Sequence, residues 1–140
     1  MIPREELLSL ARKVALTAHC PYSHFRVGAA VVADGKIYVG VNVEISSYGL
    51  TLCAERTALA TAIAAGAAVG SVTQVAVACI DVPQGAPIQD RTPCGACRQW
   101  LADLAPRAVI YVDGEMRDFT IDDLLPYAFG HEAKGAWGKP

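Results

Sequence analysis

The sequence lacks the segments that would direct it to a membrane or through one. Its first residues, MIPREELLSLARK, are charged throughout and have no apolar stretch of the kind found in signal peptides. The longest stretch without an acidic or basic residue, 57–80, is interrupted by Gly66 and Gly70, which favours a helix, a turn and a strand over a membrane span. We therefore expect a cytoplasmic protein that does not associate with membranes.

An excess of positive charge is also absent. The sequence has 12 Lys and Arg against 14 Asp and Glu, and its formal net charge of −2 disfavours a nucleic acid polymer or an anionic membrane as partner. Only 19% of residues are charged and 53% are hydrophobic, which indicates buried subunit interfaces. The 140 residues contain no repeat and predict one domain, 1–140, with a loose tail at 130–140.

Cysteine is present in an odd number, which argues against a framework of disulfides and favours a metal site or catalysis in a reducing compartment. The five cysteines are Cys20, Cys53, Cys79, Cys94 and Cys97. Cys20 and Cys79 have no chemically active neighbours in the sequence, and we interpret both as packing residues.

Hydrophobic periodicity predicts an α/β protein with a mixed five-stranded sheet sandwiched by helices, in the order α-β-β-α-β-α-β-β. The predicted helices are 3–18, 52–65, 95–104 and 121–125. The predicted strands are a hairpin around Asp34-Gly35 within 26–45, then 71–80, 108–112 and an edge strand at 117–120. Two of the helices begin at cysteine motifs, and active sites of open α/β sheets lie at such ends of the sheet.

The Cys94-x-x-Cys97 pair has three interpretations. It suits a redox dithiol as in thioredoxin, it suits packing cysteines of the core, and with Cys53 it suits a zinc site. Cys53 favours zinc, because it begins its own helix and is followed by Ala54-Glu55. Three protein ligands leave one coordination position open, which is typical of a catalytic zinc that lowers the pKa of bound water.

No fourth cysteine or suitably spaced histidine completes the set. His19, His24 and His131 lie outside both motifs, and we expect ordinary surface or hydrogen-bonding roles for them. Three thiolates make a zinc-bound water less acidic, and helix N-termini oppose this effect. Arg56, three residues after Cys53, lies on the same side of the helix and is predicted to tune the charge by donating to the thiolates. An exposed surface arginine is the alternative.

Glu55 is predicted to move protons. It lies roughly 200° around a regular helix from Cys53, which makes it a poor fourth ligand. From a helix start, however, its side chain reaches the space in front of the metal, where a carboxylate serves as a proton shuttle. The alternative is a glutamate that merely stabilises the first helical turn.

These motifs together resemble the zinc-dependent cytidine deaminases. The family signature of ligand-x-Glu followed by Pro-Cys-x-x-Cys appears as Cys53-Ala54-Glu55 and as residues 93–97. Further segments, PYSHFRVGAA, GVNVE, SYGLTLCAERTA, PCGACRQ and LLPYAF, resemble the short, homotetrameric members that act on free nucleosides. The resemblance extends from about residue 21 to residue 129.

The resemblance implies one zinc ion per subunit, held by Cys53, Cys94 and Cys97. Zinc-activated hydroxide would attack C4 of cytidine or 2′-deoxycytidine, with Glu55 as proton shuttle, to give uridine or 2′-deoxyuridine and ammonia in pyrimidine salvage. A homotetramer with sites shared between subunits is implied as well.

The resemblance also implies the substrate contacts. Ribose hydroxyls would bind Asn42 and Glu44, the pyrimidine would lie against Phe25, O2 would accept from the N–H of Ala54, and the departing amine would meet the carbonyl of Thr92. Tyr48 and Phe129 would come from neighbouring subunits. Without the resemblance, Phe25 and Phe129 would be read as core residues and Asn42 and Glu44 as ordinary polar residues at strand ends.

The sequence departs from the family pattern at Ile45, where an amide usually follows the NVE motif. This aliphatic residue beside the expected ribose site leads to a second hypothesis, deamination of a modified cytosine nucleoside such as a blasticidin-type antibiotic or an N4-substituted cytidine. A deaminase of polynucleotides is disfavoured, since the chain has no basic stripe. A non-catalytic protein stabilised by zinc is the remaining class.

Overall fold

A computed structural model of the chain describes residues 1–130. The helices are α1 (Arg4–Ala15), α2 (Ala54–Ala64), α3 (Gly95–Leu104) and α4 (Ile121–Leu124), and the strands are β1 (Val27–Ala33), β2 (Lys36–Val41), β3 (Val72–Cys79) and β4 (Val109–Val112). Of the predicted tail, only Gly130 is described, and His131 lies outside the described residues. No helix within residues 1–130 has the length and apolar character needed to cross a membrane.

The four strands form one mixed sheet in the order β2-β1-β3-β4. Strand β1 runs antiparallel to both β2 and β3, while β3 and β4 are parallel. In this register Val27, the first residue of β1, lies opposite Cys79, the last residue of β3. The start of β1 and the ends of β2 and β3 therefore meet at the same end of the strands. This end of the sheet, called the sheet edge below, carries the site.

The predicted fifth strand, 117–120, is wrong. Only Phe119 reaches the sheet, where it exchanges two backbone hydrogen bonds with Ile110, of 2.8 and 2.9 Å. The next residue, Thr120, turns away to begin α4 and forms a capping box with Asp123. Because the helix cap fixes the backbone one residue after Phe119, the segment pairs at a single position and cannot extend into a strand.

Helices cover both faces of the sheet, as the sequence predicts. Helix α1 packs on one face against a small apolar cluster that includes Leu7, Leu8 and Tyr111. Helices α2, α3 and α4 cover the other face over a larger cluster that includes Leu59 and Leu101. The larger cluster supports the two helices that carry the cysteine motifs.

Close packing places α2 relative to the sheet. A Cβ atom at Gly40 of β2 would lie 2.3 Å from the backbone nitrogen of Ala58 and 2.6 Å from the carbonyl oxygen of Ala54. Only glycine allows this approach of strand and helix backbones. The Thr57 hydroxyl links the same two elements, since it lies 2.8 Å from the carbonyl oxygen of Val41. The first turn of α2 is thereby fixed at the end of β2.

Candidate active site

A cavity of about 370 Å³ opens at the edge of the sheet where β1 begins and where β2 and β3 end. The N-termini of α2 and α3 close one side of it. Its walls include most of the residues that the sequence singles out, namely Phe25, Asn42, Glu44, Cys53, Ala54, Glu55, Thr92 and Cys94. The structure thus brings together in one concave site residues that are far apart in the chain.

Three cysteine sulfurs converge beside this cavity. Cys53 is the N-cap residue of α2, Cys94 is the N-cap residue of α3, and Cys97 lies in the first turn of α3. Their sulfur atoms all lie within 4.8 Å of one another, and those of Cys53 and Cys94 are 3.6 Å apart. Within residues 1–130, no fourth histidine, cysteine or carboxylate belongs to the cluster.

The charges of the Cys53 and Cys97 thiols depend on each other. Hydrogen bonds from Cys97 and Arg56 lower the pKa of Cys53 to about 5. The hydrogen bond to Cys53 and burial raise the pKa of Cys97, since a second thiolate would lie beside the first. A divalent, sulfur-binding cation held by Cys53, Cys94 and Cys97 would stabilise three thiolates at once, and with only three protein ligands it would also be able to bind water or substrate. The donor set therefore fits Zn²⁺.

Arg56 occupies the position that the sequence predicts. Its Nη2 atom donates to the sulfur of Cys53 at 3.2 Å and to the carbonyl oxygen of Thr51 at 3.3 Å. The guanidinium is therefore held against a metal ligand and is not the exposed surface group of the alternative interpretation. A cation in this position offsets part of the negative charge of a three-thiolate site.

Glu55 is the second residue of α2 and its side chain is buried, with 3% of the residue exposed. Burial raises the pKa of its carboxyl to about 7, and the adjacent Cys53 adds to the rise. A glutamate that only stabilised a helix start would remain in solvent, where its charge costs nothing. The structure thus places the Glu55 carboxyl beside the Cys53 and Cys97 thiols, and its predicted role as a proton shuttle stays a prediction.

The polar residues expected to meet the sugar are held by the loop before β1. Asn42 accepts from the backbone N–H of Val27 at 2.9 Å and donates to the carbonyl oxygen of Phe25 at 2.7 Å. Glu44 accepts from the backbone N–H of Ser23 at 3.0 Å and from the Ser23 hydroxyl at 2.5 Å. These bonds hold the pKa of the Glu44 carboxyl below its usual value. Both side chains are buried and thus differ from ordinary surface residues at strand ends.

Three further predicted residues lie in the cavity wall. Phe25 is 36% exposed, so the ring lines the opening and does not belong to the core. Ala54 is fully buried at the start of α2, and Thr92 lies just before α3, where its hydroxyl accepts from Arg98 at 3.1 Å. Their predicted roles toward a substrate stay predictions.

Tyr48 and Phe129 are not brought into the cavity. Tyr48 is 69% exposed and packs edge-on against Tyr22, with ring centroids 5.1 Å apart, in a neighbouring hollow that shares Ser23, Glu44 and Thr51 with the cavity. Phe129 is 73% exposed, and its carbonyl oxygen accepts from the Gln99 side chain at 2.7 Å. Neither aromatic ring contributes to the site of its own chain.

Sequence reasoning missed several wall residues, of which Cys79 is the most informative. Cys79 and Val77 line the cavity from the end of β3, and Val27 lines it from the start of β1. Val77 and Cys79, two residues apart on a strand, point to the same face, but β3 is an apolar run buried on both faces, so its sequence does not single them out. Desolvation raises the pKa of the Cys79 thiol to about 12, which keeps it neutral.

Known proteins match most of the chain. The model of the cytidine and deoxycytidylate deaminase zinc-binding region matches residues 1–113. A probable cytidine deaminase of Dictyostelium discoideum is 43% identical over 133 residues, which cover 91% of this chain and 84% of the relative. A cytidine deaminase of Halalkalibacterium halodurans is 41% identical over 134 residues, covering 92% of this chain and 96% of that protein.

Solved structures agree with these relatives. The cytidine deaminase of Burkholderia pseudomallei has a TM-score of 0.81 at 42% identity and covers 91% of this chain and all of its own chain. That of Mycobacterium tuberculosis has a TM-score of 0.76 at 33% identity, with 94% of this chain covered. The matched zinc-binding region contains Cys53, Cys94 and Cys97, which confirms the predicted cofactor. The chain therefore belongs to the cytidine and deoxycytidylate deaminase family, as its motifs predict, and is an enzyme of that family.

Proposed function

We propose that the protein hydrolyses cytidine and 2′-deoxycytidine to uridine and 2′-deoxyuridine, with release of ammonia, as a step of pyrimidine salvage. The observation that carries this proposal is the buried carboxyl of Glu55 beside three convergent cysteine sulfurs in a cavity of about 370 Å³. A cavity of this size is at the lower end of those that bind small molecules. The names of the curated relatives support the same activity.

Zinc, when held by the three cysteines, supplies a water molecule that is acidic enough to react near neutral pH. Glu55 moves the protons in this proposal: it takes one from the water and gives it to N3 of the cytosine, then takes the second from the hydroxyl formed on C4 and gives it to the amine that leaves. The water oxygen ends on C4, the bond from C4 to the amino nitrogen breaks, and that nitrogen departs as ammonia. The burial of Glu55 shields these protons from bulk water.

The remaining wall residues orient the nucleoside. Phe25 lies against the pyrimidine, the backbone N–H of Ala54 donates to O2, and the carbonyl of Thr92 accepts from the departing amine. Asn42 and Glu44 bind the sugar hydroxyls, and their hydrogen bonds to the loop before β1 preorganise them for this task.

The charge of the cavity favours a free nucleoside over a polymer. Its wall includes the carboxyl groups of Glu44, Glu55 and Asp90. Among the described residues of the wall, the only cation is Arg91, and Arg91 is paired with Glu115 at 2.6 Å. A phosphate backbone would meet carboxylates here and no unpaired cationic side chain among the described residues of the wall.

Assembly and location form part of the same proposal. Tyr48 and Phe129 are largely exposed and lie outside the cavity of their own chain, which suits contributions to neighbouring sites in a homotetramer. Exposed apolar side chains such as Leu50 and Val69 suit burial between subunits. The zinc site needs three reduced thiols, which a cytoplasmic enzyme keeps.

The alternative substrate, a modified cytosine nucleoside, rests on Ile45. This side chain is 44% exposed and is not among the described residues that line the cavity. Because Ile45 directly follows the wall residue Glu44, an effect on substrate range would be indirect, through the backbone at Glu44 or through a contact with another subunit. We therefore keep unmodified cytidine and 2′-deoxycytidine as the proposed substrates.

An absorbance and ammonia assay on the zinc-loaded enzyme tests the proposal. Cytidine and 2′-deoxycytidine should both lose cytosine absorbance and release one ammonia per nucleoside, whereas a cytosine-containing oligonucleotide should not react. Turnover of only an N4-substituted or blasticidin-type nucleoside would support the alternative. If the loaded protein converted none of these nucleosides, a non-catalytic zinc protein would be the better description.

A further inference from the structure

The segment between β3 and α3, residues 80–94, ends in a metal ligand but contains little regular structure. A single 3₁₀ turn, Ile88–Asp90, interrupts it. Prolines and glycine in its first part favour turns over strand or helix. A long connection of this kind costs conformational entropy when its end must be held at one place. Cys94 nevertheless has to stay next to Cys53, which belongs to a different element.

Arg91 attaches the end of this segment to the chain beyond β4. Its Nη1 atom donates to the carbonyl oxygen of Asp113 at 3.2 Å, and its Nη2 atom donates to the carbonyl oxygen of Ala86 at 2.9 Å. Nη2 also lies 2.6 Å from Oε1 of Glu115. The two charged side chains are only 15% and 23% exposed, so little solvent screens the pair. One guanidinium thereby joins two parts of the loop to the turn that follows β4.

A second arginine, Arg98, holds the residues that follow Arg91, namely Thr92 and Pro93. Arg98 of α3 donates from Nε to the carbonyl oxygen of Pro93 at 2.7 Å and from Nη2 to the Thr92 hydroxyl at 3.1 Å. It also donates to the carbonyl of Leu124. Thr92 and Pro93 therefore lie between two guanidinium groups, one fixed to the turn after β4 and one fixed to α3 and α4.

We propose that Arg91, through its pair with Glu115, is a positioning residue for the zinc ligand Cys94 and for the backbone of Thr92. The sulfur of Cys94 lies 3.6 Å from that of Cys53, and this separation depends on how the loop meets α2. Release of Arg91 would let the loop end move relative to α2, which weakens the hold on the metal and misplaces the carbonyl of Thr92. The metal effect is independent of the proposed substrate, while the effect on turnover rests on the proposed function.

The test compares Arg91→Gln and Glu115→Gln with Arg117→Gln. Arg117 forms a similar pair with Asp123, at 3.0 Å, on an exposed surface, and serves as the matched control. Zinc loss from each holoenzyme to an excess of chelator should be roughly 10-fold faster in Arg91→Gln and should not change in the control. The cobalt-loaded enzymes report ligand geometry through their thiolate absorption, which should shift only in the Arg91 and Glu115 variants.

Kinetics and a double variant complete the test. For Arg91→Gln, kcat should fall roughly 10-fold while KM changes less. The Arg91→Gln, Glu115→Gln double variant should be no worse than Arg91→Gln, because one pair acts as a unit. Wild-type zinc release and cobalt spectra in Arg91→Gln would overturn the proposal. If Arg91→Gln does not fold, the same two measurements on Glu115→Gln decide, and unchanged values there would overturn it as well. Because zinc release is measured without substrate, it tests the role of Arg91 even if the proposed nucleoside substrates are wrong.

Discussion

The two faces of the sheet each bring a helix backbone against a glycine of a strand. On one face a Cβ at Gly28 would lie 2.0 Å from the carbonyl oxygen of Ala11 in α1. On the other a Cβ at Gly40 would lie 2.3 Å from the nitrogen of Ala58 in α2. The packing device is the same, yet only the α2 face carries the chemical site. Close packing of a helix on a strand glycine therefore stabilises the fold on both faces, and the position of the cysteine motifs on α2 and α3 has a separate cause.

The second residue of each helix shows the difference directly. Glu5 of α1 is exposed and pairs with Arg12, whereas Glu55 of α2 is buried beside the cysteine sulfurs. Both glutamates suit a first helical turn. Their environments differ because the N-terminus of α2 points into the cavity at the sheet edge, while the Glu5 side chain at the start of α1 is exposed to solvent. A place in the first helical turn does not distinguish the two glutamates; their positions relative to the sheet edge bury one carboxyl and leave the other in solvent.

The largest effect is expected from Glu55→Gln, with Glu5→Gln as the matched control. Loss of the carboxyl should lower kcat by about 10²- to 10⁴-fold, because an amide cannot relay protons. Zinc content, measured by metal analysis, should remain at one ion per chain in both variants. Glu5→Gln should keep wild-type kcat. A Glu55→Gln enzyme with normal turnover would rule out Glu55 as the proton shuttle.

The second-largest effect is expected from removal of zinc, which should destabilise the first turns of α2 and α3 more than that of α1. The first backbone hydrogen bonds of α2 and α3 have metal ligands as acceptors. The N–H of Thr57 donates to the carbonyl oxygen of Cys53 at 3.1 Å, and the N–H of Arg98 donates to that of Cys94 at 2.9 Å. Hydrogen exchange at these two amides should accelerate by up to about 100-fold after chelation. Zinc present at a concentration well above its Kd stabilises the folded site, and chelation removes this stabilisation. The equivalent amide of α1, Leu7, should respond far less. Equal acceleration in α1 would show that zinc stabilises the whole domain and not the site.

The smallest effect is expected from Gly40→Ala and Gly28→Ala, which should be similar in stability and differ in zinc release and turnover. Each added methyl group meets helix backbone, so each should lower the free energy of unfolding by about 1–3 kcal/mol, measured by denaturant titration. Only Gly40→Ala displaces the start of α2, so only this variant should also lose zinc faster and turn over more slowly. The comparison of the two faces fails if Gly28→Ala impairs the zinc site to the same extent.

Local patterns were sufficient for most of the fold. The predicted helix 95–104 coincides with α3, and the hairpin around Asp34-Gly35 is present as β1 and β2. The segment 117–120 shows where local patterns fail. Its composition is compatible with a strand, but the cap of α4 at Thr120 competes for the same backbone and prevails. Competition of this kind between neighbouring elements is not visible in the periodicity of one segment.

The site was predictable to the extent that its residues belong to compact motifs. Cys53, Glu55, Arg56, Cys94 and Cys97 stand at fixed spacings within two helix starts, and the structure places them together. Cys79 has no such motif, since its position in an apolar strand suggests packing and only the sheet register brings it to the cavity. The pair of Arg91 and Glu115 is likewise invisible in the sequence, because helix α3 and strand β4 separate the two residues along the chain.

The amino-acid sequence alone was enough to predict the metal and the residues that hold it. Three cysteines with a glutamate and an arginine at two helix starts indicate a sulfur-bound zinc, because spacing along a helix fixes which side chains share its end. The proton relay through Glu55 belongs to the proposed function. Tertiary structure decided the environment of those groups. Burial of Glu55, the distance between the sulfurs of Cys53 and Cys94, and the walls of the cavity depend on how α2, α3 and the loop before α3 meet one edge of the sheet. Such contacts join residues distant in the chain, and their energies arise only when the sheet and its helices pack.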